Sequence, residues 1–267
     1  MHPFVALMRT YCIDYTNSHD QTLYDQIMEP EYVLHTMGFT LAGRDESYSP
    51  AVTQVFAEYP GLGLTVHELV LNGDRLCMRF SEHGAAVDHD DRLTAWRGIG
   101  LYHWNGRRLV ENWVEQDYAS RDRQLTSGEP NPLDPPHLDP WVTTQPVPED
   151  PAAVEAARAF LAAGDLTAAS GEVIIDDSDI TGAVQQVVEV ERVTINDLFS
   201  AGPRVAFHVT LHGLYTGGLA GVDTTALGTA VELHVAGVAS VEGSGLRDVR
   251  AVSGKLGITL RLAARAR

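Results

Sequence analysis

Residues 109–125 read LVENWVEQDYASRDRQL. As a strand, this stretch puts Trp113, Glu115 and Asp117 at alternate positions and therefore on one face. An aromatic ring and two carboxylates do not make an ordinary core, because a buried charge needs a partner. That face is either solvated or lines a pocket, and the choice decides what the surrounding elements enclose.

Working outward, WNGR (104–107) is an Asn-Gly hairpin signal, so the stretch pairs with the strand TAWRGIGLYHW before it. A second signal, NGD (72–74), joins GLTVHELVL to DRLCMRFSEHGA. Upstream, Phe4–Tyr15 has helical apolar spacing with Pro3 suited to its first turn. Asp20 is placed to cap QTLYDQIM, EYVLHTMGFTLAG reads as a strand or hairpin, and SPAVTQVFAEYPG reads as a helix stopped by Pro60 and Gly61. Helices followed by a meander of antiparallel strands indicate an α+β unit.

Downstream, residues 127–149 carry seven prolines and no apolar periodicity. Proline fixes φ and removes a donor, so this segment is a semi-extended linker, with Trp141 packing on a domain surface. Beyond it, Asp150 and Pro151 cap an alanine-rich helix, and four long strand-like runs follow. MRFSEHG (78–84) aligns without gaps on FHVTLHG (207–213), and residues 108–125 align on 245–262. The halves therefore read as an internal duplication. The proposed organisation is 1–126, 127–149 and 150–267. The second copy is degenerate: in this register Trp113, Glu115 and Asp117 face Arg250, Val252 and Gly254, and the middle helix is missing.

The formal net charge of −17 disfavours nucleic acid, anionic membranes and polyanionic substrates. A neutral or weakly charged organic molecule is the expected ligand. No apolar run reaches the roughly 18–20 residues that span a bilayer, and no signal peptide is read at the start, so the cytoplasm is the default location. Cys12 and Cys77 read as two buried hydrophobes rather than a disulfide framework. No metal site is expected: DHDD (88–91) sits in an apparent loop tip, and neither HxH nor HExxH occurs. Gly-rich phosphate cradles and a GxSxG elbow are absent. His67 and His103 are expected at the surface.

Several motifs, in order and spacing, resemble the polyketide-cyclase (SnoaL-like) branch of the nuclear-transport-factor-2-like superfamily. These are EYVLH with His35, GRDE (43–46) opening the helix that ends in EYPG, LNGDRLCMRFSEHGA, YHWNGRRLVENWVEQD, and RDRQL. The resemblance covers residues 3–126 well and 150–267 weakly. It implies a cone: a bent antiparallel sheet wrapped on helices, with a pocket at the mouth. Members often dimerise through the open sheet face, and a tandem copy would supply that partner in the same chain, giving an intrachain pseudo-dimer; a homodimer is a further option.

Under this resemblance Asp117 matches the acid that serves as general base, and His35 and His83 match the two histidines that face the same pocket. A carboxylate in an apolar pocket becomes a usable base near neutral pH. Trp113, Glu115 and Arg79 are expected beside it, and Phe80, Trp96 and Tyr102 as aromatic walls for a flat molecule. The expected chemistry is cofactor-independent proton transfer on an apolar or aromatic, polyketide-like substrate: cyclisation, isomerisation or aldol-type cleavage. A non-catalytic binding protein and an epoxide hydrolase that activates water are the alternatives.

Overall fold

A computed structural model describes residues 1–265. The chain forms two sheets. The first has six strands: β1 (Met28–Thr36), β2 (Phe39–Ala42), β3 (Gly63–Leu71), β4 (Arg75–Ala86), β5 (Arg92–Trp104) and β6 (Leu109–Gln116), in the order β2-β1-β6-β5-β4-β3. The second has five: β7 (Ser170–Ile175), β8 (Val188–Ala201), β9 (Arg204–Tyr215), β10 (Ala230–Glu242) and β11 (Gly245–Ser253), in the order β7-β11-β10-β9-β8. In each sheet the first strand runs parallel to the last, and all other neighbours are antiparallel. The repeated order is that of two tandem cone-like α+β units.

Local sequence explains the elements. Pro3 opens the Pro3–Arg9 helix, which continues as a π-helical segment through Thr16 and buries Phe4, Val5, Met8, Cys12 and Tyr15. Asp20 accepts from Thr22 N–H, and Asp150 accepts from the N–H groups of Ala152 and Ala153. The β1–β2 turn takes positive φ at Met37 and Gly38, the twist-compatible geometry of a tight hairpin.

Each sheet has an inner face that packs on helices and an outer face that meets the other half. In the first half the inner face presents Leu76, Met78 and Phe80 to Phe4, Met8 and Tyr15. In the second, Val205, Phe207 and Val209 pack on Ala153, Ala157, Leu161 and Ile258. The outer faces meet in one apolar seam: Val70, Cys77, Ile99, Leu101 and Trp113 against Phe199, Ala206, Ala236, Val238 and Val252. This is the intrachain pseudo-dimer. The duplication extends to outer-face detail, since the cross-strand pair Thr65–His83 (3.1 Å) recurs as Thr194–His212 (3.0 Å).

The linker is not a loose spacer. His137 N–H donates to Val66 O at 2.8 Å and Val147 N–H to Leu71 O at 2.9 Å. Trp141 packs against the first core. Asp134 joins Arg79 and Arg97 at 2.7 and 2.8 Å. This coverage corrects the expected surface position of His67, which is buried between Ser81 and the Pro135 carbonyl. No helix among the described residues is long and apolar enough to cross a membrane.

Candidate functional site

The first cone holds a cavity of about 230 Å³. Its walls come from the N-terminal helix (Tyr11, Tyr15), the Ser49–Glu58 helix (Val52, Phe56) and the inner sheet face (Phe80, Tyr102, Val114). Glu82, Asn112, Gln116 and Tyr118 bring polar groups to it from neighbouring strands and the helix that follows, with Thr16 and Thr36 also in the lining. A mostly aromatic cavity with a few convergent polar groups is the usual form of a small-molecule site.

Glu82 is the titratable centre of this cavity. It follows Leu76, Met78 and Phe80 on the same strand face, so the pleat carries it inward with them. Burial pushes its carboxyl up to about 7, against the opposing pull of the Arg121 guanidinium and the Trp96 indole. Such a group exchanges a proton at neutral pH. Beside it, Trp96 Nε1 donates to Gln116 Oε1 at 2.6 Å, which fixes the amide. Arg121 lies over the Tyr118 ring at 4.6 Å and pairs with Asp122, behind the cavity wall rather than in its lining. Burial also raises the phenols, Tyr15 to about 12, which keeps them as neutral hydrogen-bonding groups.

The expected acidic face is placed otherwise. Asn112, Val114 and Gln116 of β6 point into the cone, so Trp113 and Glu115 point out of it, and Asp117 follows at the strand end. The outer face is neither wet nor a pocket: it is the contact between the halves. Glu115 is fully buried, accepts from Met37 N–H through both oxygens at 3.1 Å, and lies 3.1 Å from His208 Nε2. Burial raises the Glu115 carboxyl and depresses His208 to about 3, so the carboxyl meets a neutral imidazole.

Asp117 caps the Tyr118–Ser127 helix, with Oδ1 accepting from Ser120 N–H at 3.0 Å and Oδ2 buried without a partner. Desolvation and the nearby Asp176 and Asp177 charges raise its carboxyl. The void beside it is only about 10 Å³, too small for an organic molecule. The expectation that Asp117 lines the first cone is therefore corrected.

The histidines are corrected for the same reason of strand parity. His35 stacks on Trp113 at 3.8 Å on the outer side and bonds Thr40 and Glu111. His83 bonds Thr65, and Arg79 bonds Asp134; neither side chain lines the cavity. His103, expected at the surface, is half-buried and bonded to Asp197 at 2.8 Å. Phe80 and Tyr102 do line the cavity, and Trp96 stands behind Gln116.

Sequence reading missed Glu82. The signal was present, because a carboxylate at the end of an apolar alternate series marks an inward acid. Among the described residues, Glu115, His208 and His234 form the one group of side chains that could hold a metal ion, with donor atoms within 4.8 Å of one another. The Met37 and His208 hydrogen bonds already satisfy Glu115, and Asn196 holds the far nitrogen of His208.

Residues 6–125 match the SnoaL-like polyketide cyclase family. No curated protein matches the chain. Solved structures similar to it include IdmH of Streptomyces antibioticus (21% identity, 47% of this chain and 99% of that one, TM-score 0.41). TsrD of Streptomyces laurentii is another (23% identity, 46% and 94%, TM-score 0.42). AclR of Streptomyces galilaeus is a third (12% identity, 48% and 98%, TM-score 0.42).

Proposed function

Taking residues 6–125 as a SnoaL-like domain, we propose that the first cone moves a proton on a small, largely apolar or aromatic carbonyl compound, with Glu82 as the base. The observation that carries this reading is a carboxyl raised to about 7 at the wall of an aromatic cavity of about 230 Å³. The ionised form takes a proton from the carbon next to a carbonyl, and the same carboxyl returns it elsewhere on the molecule. The developing enolate oxygen needs neutral donors. The NH₂ of Gln116, held in place by the Trp96 bond, and the Tyr118 hydroxyl are the candidates. Cyclisation and isomerisation share this first step; in aldol-type cleavage the same carboxylate would take the β-hydroxyl proton instead, and scission of the Cα–Cβ bond would leave the same enolate. Within this proposal residues 1–126 are the working unit, 127–149 the strap, and 150–267 the unit that closes the sheet face.

The test uses 1-tetralone, a bicyclic aromatic ketone, in D₂O. The protein should accelerate deuterium uptake at the carbon next to the carbonyl, with the rate rising through about pH 7 as Glu82 ionises. Glu82→Gln should lower that rate at least a hundredfold while affinity stays within a few-fold. Equal rates for wild type and variant would remove the base and leave a binding module without turnover.

A further inference from the structure

The second cone holds a cavity of its own, about 350 Å³, and the reading of the first cone makes no use of it. Leu166, Val187, Leu211, Leu233 and Val235 wall it. Asp176, Ser253 and Lys255 form one polar cluster on its wall, and Asp165, Gln185 and Glu189 also line it. Lys255 Nζ stands 2.8 Å from Asp176 Oδ2, with both side chains under a tenth exposed. Asp176 also accepts from Ser253 N–H and Ser253 Oγ–H, each at 2.7 Å.

Stability does not account for this group. Asp176 has φ 56°, a conformation that side chains adopt at a cost. Lys255 opens the Lys255–Arg265 helix, where the helix dipole disfavours a cation. A buried ion pair is itself a weak source of stability compared with apolar residues of the same volume. Three locally unfavourable choices meet at the wall of one apolar cavity, which is the pattern of a site kept for a ligand.

The pair also indicates the ligand. Asp176 already neutralises the ammonium, Asp165 and Glu189 line the cavity, and the whole chain is at −17. A carboxylate would enter against that charge, whereas a neutral oxygen acceptor would not. We propose that the second cone is a second binding site for a small, mostly apolar molecule bearing a carbonyl group. Lys255 donates to the carbonyl oxygen, and Asp176 keeps the amine charged and positioned. This site is independent of the chemistry assigned to Glu82.

Benzophenone is a suitable probe, being apolar, carbonyl-bearing and photoactivatable at C–H bonds. Irradiation of the full-length protein with benzophenone, followed by peptide mapping, should place saturable adducts on the segments holding Leu166, Val187, Leu211 and Val235. Lys255→Met should reduce those adducts about tenfold and leave any first-cone adducts unchanged, which serve as the internal control for folding. Leu211→Trp, which fills the cavity without touching the ion pair, should abolish them. Adducts confined to the first cone, adducts scattered over the surface without saturation, or second-cone adducts insensitive to both substitutions would each overturn the proposal.

Discussion

At the scale of single residues, Glu82 and Glu115 are both raised by burial but differ in what surrounds them. Glu82 faces the aromatic cavity and keeps a proton up to about pH 7. The folded state therefore holds a proton that the unfolded chain releases in the ordinary carboxylate range. Its contribution to stability is complete below that range and is lost as pH rises through about 7. Glu82→Gln removes this titration. Compared with wild type, the variant should melt about 5 °C higher at pH 8 and at nearly the same temperature at pH 4.5; an offset that does not change with pH would contradict it. Glu115, in contrast, faces a neutral imidazole and a backbone N–H. Glu115→Gln retains an acceptor for Met37 and should cost about 1 kcal/mol, whereas Glu115→Ala strands two polar partners and should cost about 3 kcal/mol in urea unfolding. For both acids the alternation was legible in the sequence, but the face it placed them on was not. Asn112, Val114, Gln116 and Trp113, Glu115, Asp117 are about equally polar series, because both faces of β6 are covered. Period-two patterning then says which residues share a face and not which face is the cone.

At the scale of elements, the strands and their turns were legible because Asn-Gly pairs mark the hairpins and apolar alternation marks the long strands. Two connections were not. The proline segment reads as a spacer because two of its anchors are backbone hydrogen bonds, which leave no mark on side-chain chemistry, and because the partners of Asp134, Arg79 and Arg97, lie far from it in sequence. The Lys255–Arg265 helix was aligned with the closing turn of the first half, but what it docks on is set by glycine. A Cβ on Gly254 would collide with Glu115, and one on Gly257 with the Met37 carbonyl. The helix thus sits directly against the β1–β2 hairpin of the other half, where Arg261 donates to Met37 O at 2.7 Å. In an isolated helix Gly→Ala is favourable by about 1 kcal/mol. Here Gly257→Ala should instead destabilise by about 1–3 kcal/mol, because the obstructing atom is backbone and cannot rotate away. Thermal or urea unfolding decides the sign.

At the scale of the whole molecule, the duplication solves a problem that a single cone leaves open. A sheet with helices on one side only still has an apolar outer face, and Cys77, Ile99, Leu101 and Trp113 form that face in the first half. The second copy covers it with its own outer face, and charged pairs ring the seam: Glu68 with Arg204 at 2.7 Å, Arg97 with Asp179 at 2.6 Å, and Arg75 with Asp197, whose carboxylate also bonds His103. In the second copy Val252, the counterpart of Glu115, stands in the same seam as an apolar contact. If the seam rather than the linker holds the halves together, covalent continuity is dispensable once the chain has folded. A protease site inserted between the exposed Gly128 and Glu129 should, after cleavage, leave both fragments eluting as one species of unchanged size. The same nick combined with Leu101→Asp, which buries a charge opposite apolar residues, should release them as separate species. Separation of the fragments by the nick alone would show that covalent continuity, and neither the seam nor the anchors of His137 and Val147 on Val66 and Leu71, holds the two cones face to face.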